Sequence, residues 1–84
     1  MQRYFFNVHD GTDFIDPEGC VLEHLQAARD HAVSYLGELS RDHPATFWNG
    51  EKWSLNVANQ AGLILFSLYF LGVDAPALAE QPKV

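Results

Sequence analysis

Leu22 to Asp42 reads LEHLQAARDHAVSYLGELSRD, and its apolar positions decide the fold. Leu25, Ala28, Ala32, Leu36 and Leu39 recur at spacings of three and four, which puts them on one stripe of a helix. Glu23, Gln26, Arg29, Asp30, Glu38 and Arg41 fill the other faces, so this helix has one side to bury. Gly37 costs about 1 kcal/mol relative to Ala in a helix interior, and its bare backbone is expected to allow close packing on a sheet. Pro44 stops the helix near Arg41 to His43, because a proline pushes the residue before it out of helical backbone.

On both sides of this helix the period changes from 3.6 to two. Arg3 to His9 is aromatic and β-favouring, with Tyr4, Phe6 and Val8 on one face, and Asp10-Gly11 supplies a turn after it. Phe14-Ile15, between Asp13 and the Asp16-Pro17-Glu18-Gly19 turn, reads as a brief second strand in a hairpin with the first. After a turn at Trp48-Asn49-Gly50-Glu51, Trp53, Leu55 and Val57 alternate with Ser54, Asn56 and Ala58. Asn59-Gln60-Ala61-Gly62 then leads into Leu63 to Leu71, so a closing β-hairpin is expected. The expected class is α+β: a small antiparallel sheet in ββαββ or βαββ order, with one amphipathic helix on one face. Residues 1–73 form the single domain, and 74–84, with two prolines, form a flexible C-terminal tail.

Composition narrows the partners. Eleven acids against five Lys and Arg give a formal charge of −6, and the basic residues Arg3, Arg29, Arg41, Lys52 and Lys83 are scattered, so nucleic acid and anionic membranes are disfavoured. Cys20 is the only cysteine, which excludes an intrachain disulfide and fits a reducing, cytoplasmic location. The start, Met-Gln-Arg-Tyr-Phe-Phe-Asn, lacks the long apolar core of a secretory signal. The apolar run Ala61 to Val73 is too short for the roughly 20 residues of a membrane-spanning helix.

Arg3-Tyr4-Phe5-Phe6, Val8-His9-Asp10-Gly11, Glu18-Gly19, the Ala27-Ala28 pair, Trp53, Val57, Gly62, Leu65-Phe66, Leu68 and Phe70 together resemble a family of short, chiefly alphaproteobacterial proteins classified only as a domain of unknown function. The likeness covers about residues 2 to 70. It implies the same strand and helix order and carries no catalytic residues over. Where members of that family often have an acidic pair in the last hairpin loop, this chain has Asn59-Gln60. A second, looser likeness is to small HicB-like antitoxins, through the strand, the acidic turn, Glu18-Gly19-Cys20-Val21 and the Ala-rich helix; it implies a module that neutralises a basic partner.

The richest chemistry lies in the loop from His9 to Glu18. His9, Asp10, Asp13, Asp16 and Glu18 are candidate ligands for a divalent metal, since hard cations are held by convergent oxygens. The three aspartates are spaced by three, unlike the alternating ligands of an EF-hand, and Asp and Gly are equally ordinary turn formers. His24 and His31 stand about 10 Å apart along a helix, too far to share an ion. Cys20 and His24 approach each other if the helix begins early, and His43 caps the helix C-terminus. A nucleophilic site would need Cys20 beside an oriented histidine, such as His9 with Asp10. With neither a glycine-framed nucleophile turn nor a phosphate loop, neither an enzyme nor a cofactor is expected.

The last strand is apolar on both faces. Ile64, Phe66, Leu68 and Phe70 share the face for the core, while Leu63, Leu65, Tyr69 and Leu71, with Ser67, share the other, which a single helix cannot also cover. Trp48, Trp53, Tyr4 and Tyr69 either fill the core or form a recognition surface. The expected function is a small protein-interaction or regulatory domain that self-associates, as a homodimer or with another protein, through Leu63, Leu65, Tyr69 and Leu71.

Overall fold

The computed structural model describes residues 1–48 and 52–79. In chain order the elements are β1 (Gln2–His9), β2 (Asp13–Phe14), β3 (Cys20–Leu22), α1 (Leu25–Asp42), α2 (Pro44–Phe47), β4 (Trp53–Ala58), β5 (Ile64–Phe70) and α3 (Pro76–Ala79). All strand pairs are antiparallel, in the order β2-β1-β4-β5, with β3 also on β1. The α+β class holds, with α1 on one face of the sheet.

β1 explains the arrangement. Its alternate residues Tyr4, Phe6 and Val8 are buried, and by register Phe6 meets Val57 and Val8 meets Leu55 of β4. β2 and β3 act as one interrupted strand along the outer edge of β1. Val8 pairs with Phe14 and Tyr4 with Cys20, so four steps along β1 correspond to six along its partner. The two extra residues bulge out in the Asp16–Gly19 turn. β3 is the strand absent from the sequence reading, which has a helix starting near Leu22, and the short α2 and α3 are absent from it too; three or four residues are too few to show a period.

The helix begins at Leu25 because His24 caps it: the His24 ring Nδ1 accepts a hydrogen bond from the Ala27 N–H at 3.1 Å. It ends at Asp42, where the backbone N–H of His43 donates to Leu39 O, and Pro44 opens the short α2. Ala28, Ala32 and Leu36 are fully buried on the sheet and Leu39 is partly buried, whereas Leu25 is exposed. The close approach comes from the two alanines. A Cβ at Gly37 would meet nothing within 4 Å, so the expectation that Gly37 packs on the sheet is corrected.

Trp53, Leu55 and Val57 complete the core, and Phe47 of α2 closes one end of it, with edge-on rings at 5.7 Å from Trp53 and 6.2 Å from Phe70. The β4–β5 hairpin is fixed by Asn59. Its Oδ1 accepts from Ala61 N and Leu63 N, its own N–H donates to Leu63 O, and Gly62 takes the φ of 86° that the turn requires. Between Val57 and Ala58 the register slips by one: Val57 faces Phe66, but Ala58 faces Ile64. Leu65 is the extra residue of a β-bulge, which turns Ile64 away from the core face expected for it and leaves it exposed. Of the turn expected at Trp48 to Glu51, residues 49–51 lie outside the described residues, as do 80–84 of the expected tail; within 74–79 the chain makes the single helical turn of α3.

Two adjacent helix positions test this packing in opposite directions. Leu36→Ala removes a fully buried side chain and is expected to cost about 2–5 kcal/mol, while Gly37→Ala fills open space and is expected to gain up to about 1 kcal/mol; urea unfolding of both variants checks the contrast.

Candidate functional site

Two regions carry the candidate residues: the loop from His9 to Glu18, and the sheet face opposite α1.

In the loop, Asp16 does structural work. Where β2 has ended and β3 has not begun, the outward N–H of Phe6 lacks a strand partner, and the Asp16 carboxylate takes that place, accepting from Phe6 N at 3.2 Å through Oδ2. Its Oδ1 accepts from the N–H groups of Glu18 and Gly19, and its own N–H donates to Asn7 Oδ1. Burial pushes the Asp16 carboxyl up, but the hydrogen bonds from Gly19, Phe6 and Glu18, together with the nearby His31 ring, outweigh it and hold the carboxyl below the ordinary aspartate value of 3.8. Gly19, at φ 73°, lies so close to β1 that a Cβ would stand 2.9 Å from Tyr4 O, so only glycine fits.

The other candidate ligands do not converge on Asp16. His9 Nδ1 is hydrogen-bonded to Asp13 Oδ1, Asp10 Oδ1 receives Thr12 N, and Glu18 contributes its carbonyl to Arg3 Nη1 at 2.7 Å. Among the described residues no three His, Cys, Asp or Glu side chains form a group able to hold a metal ion. Cys20 lies opposite Tyr4, five residues of strand or about 17 Å from His9, so the grouping of Cys20 with His9 and Asp10 is corrected. The structure instead places Cys20 with Asp16, His31 and Tyr35 around a hollow of about 220 Å³. His31 leans on Phe6, ring centroids 4.7 Å apart. Tyr35 has its phenol pushed above 10.0 by burial and then by the Asp16 charge. His31 faces this hollow because it follows Ala28 by three residues, a signal present in the helix stripe.

On the far side of the sheet, the register sets out three cross-strand rows: Phe5–Ala58–Ile64, Asn7–Asn56–Ser67 and His9–Ser54–Tyr69. The middle row is polar, and Ser67 Oγ donates to Asn56 Oδ1 at 2.6 Å. At one end Lys52 Nζ lies 4.7 Å over the Tyr69 ring. At the other, Ile64 and Leu65 are 61% and 41% exposed, and Leu63, Tyr69 and Leu71 exceed 60%. The four proposed interface residues are therefore all exposed, but a polar band separates Tyr69 from Leu65, and Ile64 joins the apolar end. Of the four aromatic residues singled out in the sequence, Tyr4 and Trp53 are buried, and Trp48 and Tyr69 are exposed.

Among the described residues β5 pairs with β4 alone, which leaves its outer backbone edge open there. The class of the described residues is thus an α+β domain, with one long helix on an antiparallel sheet that has a long free edge. The family model described as a domain of unknown function (DUF6894) matches residues 3–71, and the chain belongs to that family. No curated protein and no solved structure matches.

Removing the contact between Asp16 and Phe6 has a signed pH consequence. Asp16→Asn presents a donor where Phe6 N–H needs an acceptor and is expected to cost about 1–3 kcal/mol at neutral pH. Because the Asp16 pKa is lower folded than unfolded, its contribution is complete above the ordinary aspartate value and is lost as pH falls through the depressed folded value. The stability difference between wild type and variant, read from urea unfolding, should shrink toward acid pH.

Proposed function

We propose that this domain is a bacterial, cytoplasmic protein-interaction module that self-associates as a homodimer through β5. The observation that supports this reading is the composition of the open edge: from Gly62 to Val73 there is no charged residue and no proline. Charges, prolines, short length and bulges are the usual means by which an edge strand avoids pairing, and of these the seven-residue β5 has only the bulge at Leu65, near one end. Two copies related by a twofold axis at Ser67 pair β5 with β5 antiparallel over its whole length, joining their backbone edges and setting the exposed Leu65 of each copy opposite the exposed Tyr69 of the other. In a chain of net charge −6, this is also where like-charge repulsion between copies is smallest. The lone thiol of Cys20 suits a reducing compartment, and among the described residues no helix is long and apolar enough to cross a membrane.

Sedimentation equilibrium over a wide concentration range is the test. A monomer–dimer equilibrium is expected for the wild type, and in Leu65→Asp it should weaken by about tenfold or more with an unchanged far-UV spectrum. A wild type that stays monomeric at millimolar concentration, or a dimer indifferent to Leu65→Asp, sinks the reading.

A further inference from the structure

The two ends of α1 carry histidines that respond to protons in opposite senses. At the start, His24 is the N-cap: its backbone is extended, and its ring Nδ1 lies 3.1 Å from Ala27 N. A backbone N–H can only donate, so Nδ1 has to be the acceptor, and a ring nitrogen accepts only while it is unprotonated. The cap therefore requires the neutral ring with its proton on Nε2. Asn, Ser and Thr, among the usual caps, accept through oxygens that do not titrate near neutral pH. In histidinium both ring nitrogens donate. Nδ1–H then faces Ala27 N–H, donor against donor, and the positive charge sits at the helix end that repels cations.

At the other end His43 is the C-cap residue, where a histidinium interacts favourably with the same dipole. Mild acid thus does not weaken α1 evenly; its effect falls on the first turn. Little around His24 offsets it. The ring is exposed, so protons reach it, and α1 has no acid in its first turn. Glu23, the residue before, is an exposed carboxylate, and exposed ion pairs are weak. The register of Gln2 with Leu22 carries the Met1 α-amino group toward the same corner, with the opposite charge to Glu23, and Arg29 and Asp30 further along α1 offset each other.

The first turn matters because it joins two elements. Only Glu23 and His24 separate β3 from α1, and β3 rests on three pairings with β1. Ala28, fully buried on the sheet, donates its N–H to His24 O at 3.3 Å. We propose that His24 is a proton-operated latch, closed when its neutral ring caps α1 and opened by mild acid to loosen the first turn of α1 together with β3. What the opening uncovers is the outer edge of β1 from Gln2 to Tyr4, the margin opposite β5. Asp16, held below 3.8, stays ionised in mild acid and keeps its own contacts.

Three chains are compared by urea unfolding at pH 7.5 and pH 5, which bracket most of the interval over which histidines change charge: wild type, His24→Asn, which caps through an oxygen that does not titrate, and His24→Ala, which has no cap. His9, His31, His43 and β5 are common to all three, so their contributions cancel in the differences. At pH 7.5 the wild type is expected to match His24→Asn and to exceed His24→Ala by about fivefold in folding equilibrium constant, the usual size of an N-cap effect. At pH 5 it should fall to the level of His24→Ala or below, with the ratio of the two variants unchanged. In ¹⁵N spectra the amide resonances of Cys20–Leu22, Ala27 and Ala28 should move between the two pH values in the wild type and stay in place in His24→Asn. A wild-type-to-His24→Asn ratio that is the same at both pH values overturns the proposal, as does an Ala27 amide that moves equally in His24→Asn.

Discussion

Strand β1 lies inside the sheet, and each of its edges must find hydrogen-bond partners. β4 serves the inner edge over Phe5 to His9. The outer edge is shared by two short strands that leave a gap at Phe6, and the Asp16 carboxylate fills it. A buried backbone donor without an acceptor is among the costlier defects a small domain can carry. The rest follows from this contact. Asp16 pins the turn through Glu18 and Gly19, Gly19 passes against Tyr4 O, and β3 can then rejoin β1 and deliver the chain to the His24 cap that starts the helix.

The parts of this fold that were legible in the sequence are those with a long period. Tyr4-Phe6-Val8, Trp53-Leu55-Val57 and Ala28-Ala32-Leu36 each repeat often enough to fix an element and its buried face, and all nine are buried. What was not legible depends on one residue or one contact. β3 is held by three pairings to β1 rather than by its own composition. His24 caps through a ring nitrogen, and histidine is not among the usual N-cap residues. The bulge at Leu65 inserts one residue into an otherwise regular alternation, which moves Ile64 to the other face without leaving a mark in the pattern of apolar residues.

The candidate sites were legible in the same uneven way. Leu63, Leu65, Tyr69 and Leu71 follow from alternation and from there being only one helix, and they are exposed. The acidic loop drew attention by composition, yet composition does not reveal direction: Asp16 turns inward to backbone donors, Asp13 pairs with His9, and Asp10 closes its own turn. The grouping of Cys20, Asp16, His31 and Tyr35 arises only from the fold, because it draws on the Asp16–Gly19 turn, β3 and the helix at once. An alternating strand likewise shows that the Trp53 ring is buried but not that its N–H meets no acceptor among the described residues.

The two margins of the sheet are unequal. One is β5, seven residues long with a bulge near one end at Leu65; the other is β2 and β3, of two and three residues, split by the bulging turn around Asp16. A chain of molecules adding edge to edge, as in a fibril, needs a long margin on each side so that every newcomer leaves a fresh template behind. Here a copy joined through β5 presents only the split margin outward. Under the proposed pairing, growth by strand addition would end at a pair, and the interruption on the opposite side of the molecule would make finite an apolar strand that looks like an aggregation hazard by itself.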